Sequence, residues 1–281
     1  AAAQRRAAEL LWQHLPPPCR LLEVGIGLGS PLERLSAAGY SAKGIAPDPA
    51  QLACAQMRHG NALPVVSGRL EDFSEDAGSW DALLLHESAQ TIEPLDLFTR
   101  ASRLLSEHGE IVLLDEFALR RIAPGRESLH LLPRFTALAQ RFGFGVVEQL
   151  DLSAQAAPTL DYLLRVLARH AATLQGDLGC AANTLETLRA GLAAHRQRYA
   201  EGRCGYFLLR LRRQKRPRWR VGRIGPDQAA AMRTLFAEVF HNSMSEALWH
   251  WKYGDGRGAG IGVWEGERLI AFYGGIGMNI L

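Results

Sequence analysis

Cysteine is sparse in this sequence, and long apolar runs are missing from it. The four cysteines, Cys19, Cys54, Cys180 and Cys204, lie far apart and form no CxxC pair. Their spacing predicts neither a zinc site nor a disulfide framework, so a reducing cytoplasm is the expected compartment. No apolar run approaches the ~20 residues that a membrane-spanning helix requires. We therefore expect no membrane partner.

Acidic residues are absent from one strongly basic stretch. Residues 210–223, RLRRQKRPRWRVGR, contain eight arginines or lysines in a chain whose net charge is only +3. Such a stretch can bind nucleic acid. However, it contains Pro217 and coincides with a change in the sequence pattern, which favours a solvated linker. We do not expect nucleic acid to be a partner.

Short apolar runs alternate with amphipathic segments along most of the chain, in which 47% of the residues are hydrophobic. Strands are predicted at 20–24, 41–46, 63–67, 80–85, 109–115, 144–149 and 204–211, and helices near 30–38, 49–58, 95–106 and 129–142. This alternation predicts an α/β fold with a mainly parallel sheet between two layers of helices. The segment SEHGE at 106–110 predicts a turn with its break at Gly109.

Two helical segments interrupt this alternation before the last predicted strand. Leucines recur at helical spacing in 159–174 and again in 183–199. Helices inserted at this point would lie over one end of the sheet. We interpret them either as a lid over a substrate or as core packing. Tyr162, Tyr199 and Tyr206 are candidates for the lining of such a lid.

The stretch LLEVGIGLGS, residues 21–30, carries an apolar strand into three glycines at alternate positions. Its spacing is GxGxG, and Ser30 stands where the GxGxxG dinucleotide fingerprint has its third glycine. Glu23 precedes the first glycine by two residues, and its carboxylate would repel a pyrophosphate. The same carboxylate would favour a ligand that carries an ammonium and a sulfonium group. S-adenosylmethionine is such a ligand.

Three blocks of sequence resemble the class I S-adenosylmethionine-dependent methyltransferases. LLEVGIGLGSPLERLSAAGYSAKGI resembles their first motif, SGRLEDFSEDAGSWDALLL their acidic loop and fourth strand, and FTRASRLLSEHGEIVLLDEF their helix–turn–strand block. The resemblance covers about residues 10–213. It implies a Rossmann-like sheet of seven strands, the seventh antiparallel, with a helical lid insertion. It also implies that Glu23, Gly25, Gly27 and Gly29 bind S-adenosylmethionine.

Two positions depart from the pattern of that family. Where the family usually has an acid for the ribose hydroxyls, this chain has Ala46, and Asp48 either replaces that acid or caps the following helix. Where the family often has an aspartate for the adenine amine, this chain has Arg69. The resemblance still implies adenine contacts from the backbone near Leu70 and from Glu71. We expect the cofactor to bind with altered ribose and adenine contacts.

Strand four runs into HESAQ, residues 86–90, at the end of the sheet where the chemistry of this family takes place. The Asn/Asp-Pro-Pro-aromatic block of methyltransferases that act on nucleic-acid bases is missing. HESAQ instead resembles segments of enzymes that methylate isoprenoid, quinone, sugar or polyketide-like acceptors. Glu87 is a candidate base or cation stabiliser, and His86 is a candidate base or cofactor contact. The competing interpretation is that both side chains serve packing or backbone hydrogen bonds.

The sequence therefore predicts an enzyme that transfers a methyl group from S-adenosylmethionine to a small-molecule acceptor, in a biosynthetic or tailoring pathway. Two alternatives stay open. A non-catalytic cofactor-binding or scaffolding domain is favoured if the departures at Ala46 and Arg69 abolish binding. The basic stretch favours methylation of RNA or protein, with binding that depends steeply on salt.

A new pattern begins after Pro217. WRVGRIG, PDQAAAMRTLFAEVF, ALWHWKYGDG and GVWEGERLIAFYGGIGM resemble the N-terminal half of a GNAT-superfamily acyltransferase, with a tight turn at 265–267. This resemblance implies a partial α+β unit whose acyl-CoA pyrophosphate turn, Q/RxxGxG/A at a helix N-terminus, is expected downstream and absent from this chain. The chain starts without Met and ends on GMNIL, so we expect a fragment that does not acylate by itself. The predicted domains are 1–213 and 219–281, joined by a linker at 214–218.

Overall fold

A seven-stranded sheet organises most of the chain. The computed structural model describes residues 2–60, 63–120, 129–214 and 219–276. The strands of this sheet are β1 (Arg20–Val24), β2 (Ser41–Ala46), β3 (Val65–Ser67), β4 (Trp80–His86), β5 (Leu105–Ala118), β6 (Phe144–Asp151) and β7 (Cys204–Arg213). Their order is β3-β2-β1-β4-β5-β7-β6, and β7 runs antiparallel to both of its neighbours. The predicted Rossmann-like sheet is confirmed.

Helices cover both faces of this sheet. They are α1 (Ala2–Gln13), α2 (Ser30–Ala37), α3 (Pro49–His59), α4 (Pro94–Leu104) and α5 (Leu132–Arg141). Leu22 and Leu83 pack with α4 and α5 on one face, whereas Leu21 and Leu84 pack with α1, α2 and α3 on the other. Burial on both faces explains why the central strands are continuous apolar runs. Among the described residues, no helix combines the length and the apolar character that a membrane crossing requires.

Three helices join β6 to β7, namely α6 (Ser153–Ala156), α7 (Pro158–Gly176) and α8 (Ala182–Ala200). Arg196 of α8 forms an ion pair with Asp161 of α7 at 2.7 Å. His195 of α8 reaches Glu116 near the carboxyl end of β5. The insertion therefore lies at the end of the sheet where the lid is expected. Tyr162 is 57% exposed, so it does not line a closed pocket in this conformation.

The turn predicted at 106–110 is wrong. Strand β5 begins at Leu105, directly after α4, and Gly109 lies within it. The feature that suggested a turn is a bulge, because Trp80 of β4 pairs with Leu105 while Ala82 pairs with Glu110. Four residues of β5 thus lie opposite one residue of β4. The glycine marks an interruption within the strand pairing and not the start of the strand.

The interpretation of residues 210–223 as a solvated linker is also wrong for most of its length. Residues 210–213 belong to β7, where Arg210 and Arg212 each lie 2.6 Å from the carboxylate of Glu110. Burial raises the pKa of Glu110, but the hydrogen bonds from the two arginines outweigh burial and hold that pKa below its usual range. Cross-strand pairing thus neutralises part of the basic charge. Of the predicted linker at 214–218, residues 215–218 lie outside the described residues.

Residues 219–276 form a smaller unit with its own core. Its elements are β8 (Trp219–Arg223), α9 (Ala229–Phe240), α10 (Glu246–Tyr253), β9 (Gly258–Glu265) and β10 (Arg268–Ile276). The strands form an antiparallel sheet in the order β10-β9-β8, with a tight connection at 266–267 as predicted. The buried core consists of Met232, Met244, Trp249, Trp264 and Leu269. Arg223 of β8 pairs with Asp96 of α4 at 2.9 Å, which joins this unit to the larger one.

Candidate active site

The three glycines form the turn between β1 and α2. All of them adopt positive φ angles, which are 82° at Gly25, 53° at Gly27 and 77° at Gly29. A Cβ atom added to Gly25 would lie 2.6 Å from the Cβ of Ser88, whereas one added to Gly27 would meet no atom within 4 Å. Gly25 therefore permits close packing within the protein. Gly27 leaves open space in which a ligand can approach the backbone.

The turn is joined directly to the segment that follows β4. Ser88 donates a hydrogen bond from its hydroxyl to the carbonyl of Val24 at 2.5 Å. Glu87 adopts φ of 56°, a left-handed conformation that a non-glycine residue seldom takes. Its amide donates to the carbonyl of Leu114 at 2.9 Å. The fold thus fixes the backbone of Glu87 beside the glycine turn, and such strain is common at functional sites.

Glu23 is a buried carboxyl group with an unsatisfied oxygen. It is 1% exposed, and its Oε2 atom has no hydrogen-bond partner among the described residues. Burial raises its pKa to about 8. A buried carboxylate without a partner is costly, and a cationic group of a ligand would relieve that cost. This residue therefore fits S-adenosylmethionine, whose ammonium and sulfonium groups are positive.

The ribose and adenine positions predicted from the sequence lie side by side. Ala46 is buried at the end of β2, and its carbonyl accepts a hydrogen bond from Gly68, next to Arg69 and Leu70. Arg69 is exposed, Leu70 is buried and Glu71 is half-buried. These positions surround the end of β2 as the resemblance implies. Their roles in cofactor binding remain predictions.

Asp48 has a structural role in the absence of any ligand. Its Oδ1 atom accepts a hydrogen bond from the amide of Ala50 at 2.9 Å, which caps the first turn of α3. The capping interpretation is therefore confirmed. The side chain is exposed and keeps a second carboxylate oxygen for a ribose hydroxyl. Contact with the cofactor remains a prediction for this residue.

Glu87 and His86 lie at the carboxyl end of β4. The Tyr206 hydroxyl of β7 donates to Glu87 Oε1 at 2.6 Å. Burial lowers the pKa of His86, although the charge of Glu87 opposes the shift. His86 is therefore neutral near pH 7 and has a ring nitrogen that can accept a proton or a hydrogen bond. The pair offers one carboxylate and one neutral imidazole beside the glycine turn.

Asp115 organises the segment after β4, a role that its sequence position alone did not reveal. It is 5% exposed and accepts hydrogen bonds from the amides of Ala89 and Glu116 at 2.8 Å and from the amide of Gln90 at 3.4 Å. Burial raises its pKa to about 6. These contacts hold the chain after Glu87 against the end of β5. An acid at the end of a central strand was the available signal, but it could not identify the donors.

Comparison with known families identifies the first part of this fold. Residues 22–113 match the family model for a methyltransferase domain. This segment is a methyltransferase domain. The match contains the glycine turn, the HESAQ segment and most of β5, and it confirms the predicted methyltransferase. It does not extend to residues 219–276.

Solved structures support the same fold. A protein described as a sarcosine dimethylglycine methyltransferase from Galdieria sulphuraria has 16% identity and a TM-score of 0.64, covering 74% of this chain and 86% of that chain. The cyclopropane synthase MmaA2 from Mycobacterium tuberculosis has 18% identity and a TM-score of 0.63, covering 74% and 84%. Geranyl diphosphate C-methyltransferase from Streptomyces coelicolor A3(2) has 17% identity and a TM-score of 0.58, covering 75% and 80%. No curated protein sequence matches the chain.

Substitution of Gly27 by valine should abolish binding of S-adenosylmethionine, because the added side chain would fill the open space above the turn. Gly266→Val is the matched control, since Gly266 has φ of 58° and a Cβ atom there would also meet nothing within 4 Å. Both variants carry the strain of about 1–3 kcal/mol that positive φ imposes on a side chain. Titration calorimetry should show loss of binding in the first variant alone. Equal affinities in both variants would contradict this role of Gly27.

Substitution of Glu23 by glutamine should separate stability from cofactor binding. The folded-state pKa of about 8 exceeds the ordinary value of 4.5, so the folded protein binds more protons between these values and stability falls as pH rises through them. The variant should lose this fall when unfolding is measured at about pH 5 and about pH 9. Its affinity for S-adenosylmethionine should drop by about 1.5–3 kcal/mol, the range for a lost hydrogen bond to a charged group.

Glu107→Gln provides the control for that experiment, because Glu107 is an exposed acid outside the candidate site. It should change neither the pH dependence of unfolding nor the affinity for the cofactor. A Glu23→Gln variant that keeps full cofactor affinity would show that the buried carboxyl group does not serve the ligand.

Proposed function

We propose that this methyltransferase acts on a small-molecule acceptor that binds between the carboxyl end of β4 and the lid helices α7 and α8. The observation that carries the proposal is the fixed position of the Glu87 carboxylate. Its backbone is held by Leu114, and its side chain by Tyr206 at 2.6 Å. The contact between Gly25 and Ser88 places this segment next to the cofactor turn. Ligands bind at this end of open α/β sheets.

The division of roles follows from the chemistry of the methyl donor. Bound S-adenosylmethionine supplies a methyl group on a sulfonium that is already activated. The chain therefore has to hold the acceptor in line with that methyl group and exclude water. We assign to Glu87 the acceptance of a proton from the acceptor or the stabilisation of positive charge on it. His86 is a second candidate base or a cofactor contact, and Tyr206 positions Glu87.

The names of similar structures support an acceptor of small size. One is described as acting on sarcosine and dimethylglycine, and another on geranyl diphosphate. Their acceptors differ in charge and shape, so they support the class and not the compound. Methylation of RNA or protein is the competing proposal, but part of the basic charge that favoured it is paired with Glu110 and Asp96. A biosynthetic or tailoring role in the cytoplasm is the setting we propose.

We further infer that residues 219–276 form a GNAT-like acyltransferase unit, separate from the domain at 1–213. The antiparallel sheet, the two helices and the core around Trp249 support this inference. One string in this unit, Arg257-x-x-Gly260-x-Gly262, has the letters of the acyl-CoA turn. Its two glycines lie in β9, which pairs with β8 and β10, and Arg257 directly precedes that strand. A phosphate-binding turn needs free amides at a helix N-terminus, and this strand does not provide them.

Replacement of Glu87 by glutamine should lower turnover by roughly 10²–10⁴-fold, the usual scale of proton-transfer assistance. Affinity for S-adenosylmethionine should stay nearly unchanged. Turnover is measured as formation of S-adenosylhomocysteine with a panel of isoprenoid, quinone, sugar and polyketide-like acceptors. Tyr206→Phe should shift turnover in the same direction by a smaller factor, while Tyr273→Phe, at an exposed tyrosine of β10 in the smaller unit, serves as the control.

Two results would contradict the role assigned to Glu87. A parallel loss of cofactor affinity would make Glu87 a cofactor ligand. Unchanged turnover with an active acceptor would leave alignment as the whole mechanism. A protein that binds the cofactor tightly but converts no acceptor in the panel would favour the non-catalytic alternative.

The chain should show no saturable binding of acetyl-coenzyme A, because the two glycines of its RxxGxG string are part of a strand. Titration calorimetry with acetyl-coenzyme A tests this expectation, and binding of S-adenosylmethionine in the same preparation is the positive control. Saturable binding that disappears in a Gly260→Val variant would show that the string does hold a pyrophosphate. The inference that residues 219–276 hold no acyl-CoA turn would then be wrong.

A further inference from the structure

Three side chains with different donor atoms meet at the carboxyl end of β5, beside the candidate active site. Glu116 comes from β5, His195 from α8 and Cys204 from β7. The carboxylate oxygen, the imidazole nitrogen and the thiol sulfur all lie within 4.8 Å of one another. Glu116 Oε1 and His195 Nε2 are 2.6 Å apart. We call Glu116, His195 and Cys204 the Glu-His-Cys cluster.

Strand register explains why the two sheet residues of this cluster face each other. Glu116 pairs with Tyr206, and Ala118 pairs with Cys204, in the antiparallel ladder between β5 and β7. Residues two apart on a strand share a face, so Glu116 and Cys204 are diagonal neighbours on the same face. The Cys204 sulfur lies within 4.8 Å of a Glu116 carboxylate oxygen. The position of these two donors is therefore set by the sheet itself.

The lid supplies the third donor in a restrained orientation. His195 and Tyr199 are four residues apart on α8 and share one face of that helix. Their rings stack with centroids 5.7 Å apart. The side chain of His195 is 27% exposed and that of Glu116 is 18% exposed, while Cys204 is 1% exposed. The cluster is thus shielded but reachable from solvent.

We propose that the Glu-His-Cys cluster binds a divalent transition-metal ion, with Zn²⁺ as the preferred ion. Thiolate, imidazole and carboxylate are the three ligand types that proteins use for zinc, at about 2.0–2.3 Å from the ion. Three protein ligands with an open fourth position are typical of zinc sites that are not purely structural. Calcium and magnesium are excluded by this donor set, because they prefer oxygen ligands alone.

The geometry requires only a small adjustment for this ion. Ligand atoms around a tetrahedral zinc lie about 3.3–3.8 Å apart, as follows from bond lengths of about 2.0–2.3 Å. Glu116 Oε1 and His195 Nε2 have to separate by roughly 1 Å, which rotation of the two partly exposed side chains provides. The ring of Tyr199, stacked on His195, would then act as an outer-shell contact that orients this ligand. Because two ligands come from the sheet and one comes from the lid, the bound ion would hold α8 against the end of the sheet where the acceptor is proposed to bind.

Cobalt binding to the whole chain, freed of metal by a chelator, tests the proposal. Co²⁺ should bind with one ion per chain and give a thiolate-to-cobalt charge-transfer band in the near ultraviolet. Zn²⁺ should displace it, and competition with a chromophoric chelator then gives the zinc affinity. Cys204→Ser should remove the band, and His195→Ala and Glu116→Gln should each weaken zinc binding by more than the about 10–100-fold typical of lost outer-shell contacts.

Two variants of the lid region serve as matched controls. Cys180→Ser removes another thiol and His170→Ala another imidazole, both outside the cluster, and neither should change metal binding. Circular dichroism checks the fold of Cys204→Ser, and His195→Ala keeps the test valid if that buried substitution unfolds the chain. The proposal is overturned if no ion binds in stoichiometric amount, which would leave the cluster as a hydrogen-bonded group alone. It is also overturned if the charge-transfer band survives in Cys204→Ser.

Discussion

The contact between Gly25 and Ser88 is the constraint on which the two halves of the site depend. The glycine turn and the segment after β4 approach so closely that a Cβ atom on Gly25 would lie 2.6 Å from the Cβ of Ser88. The Ser88 hydroxyl completes the junction through its hydrogen bond to Val24. Because protein interiors are packed at this density, a larger residue at position 25 would push the two segments apart. The cofactor turn and Glu87 are therefore adjacent for steric reasons.

Glu23 is a position where the residue that suits the ligand does not suit the fold. Every other residue of β1 after Arg20 contributes an apolar side chain to one of the two cores. Glu23 occupies the same buried strand with a carboxyl oxygen that lacks a partner among the described residues. Local disagreement between a residue and its surroundings is expected at functional sites. A carboxyl group with a pKa near 8 would gain its charge when a cationic ligand binds.

Local patterns in the sequence were sufficient for the sheet, the glycine turn and Glu23. The alternation of apolar runs predicted the seven strands, and the positions of Glu23, Glu87 and Asp48 at strand ends or helix starts were predicted correctly. The bulge in β5 was missed, because its glycine is also what a turn would contain. The pairing of Glu116 with His195, which are 79 residues apart, could not be predicted. It depends on the register of β5 with β7 and on the face of α8 that meets the sheet, and neither is encoded in a short motif.

The sequence predicts the donor side better than the acceptor side, and the reason is the order of the strands and helices along the chain. The donor side is built from residues 23–88, which follow one another along the chain as consecutive β–α units and are closed by the hydrogen bond from Ser88 to Val24. The acceptor side is built from β4, β5, the lid and β7, and β7 reaches its place between β5 and β6 only after the lid has been crossed. Tyr206 and Cys204 lie on the same face of β7, where they pair with Glu116 and Ala118 of β5. One antiparallel strand therefore orients both the Tyr206 contact with Glu87 and the Glu-His-Cys cluster. The lid, between β6 and β7, borders the acceptor side and contributes nothing to residues 23–88. For this reason the methyl donor is far easier to infer from sequence than the acceptor.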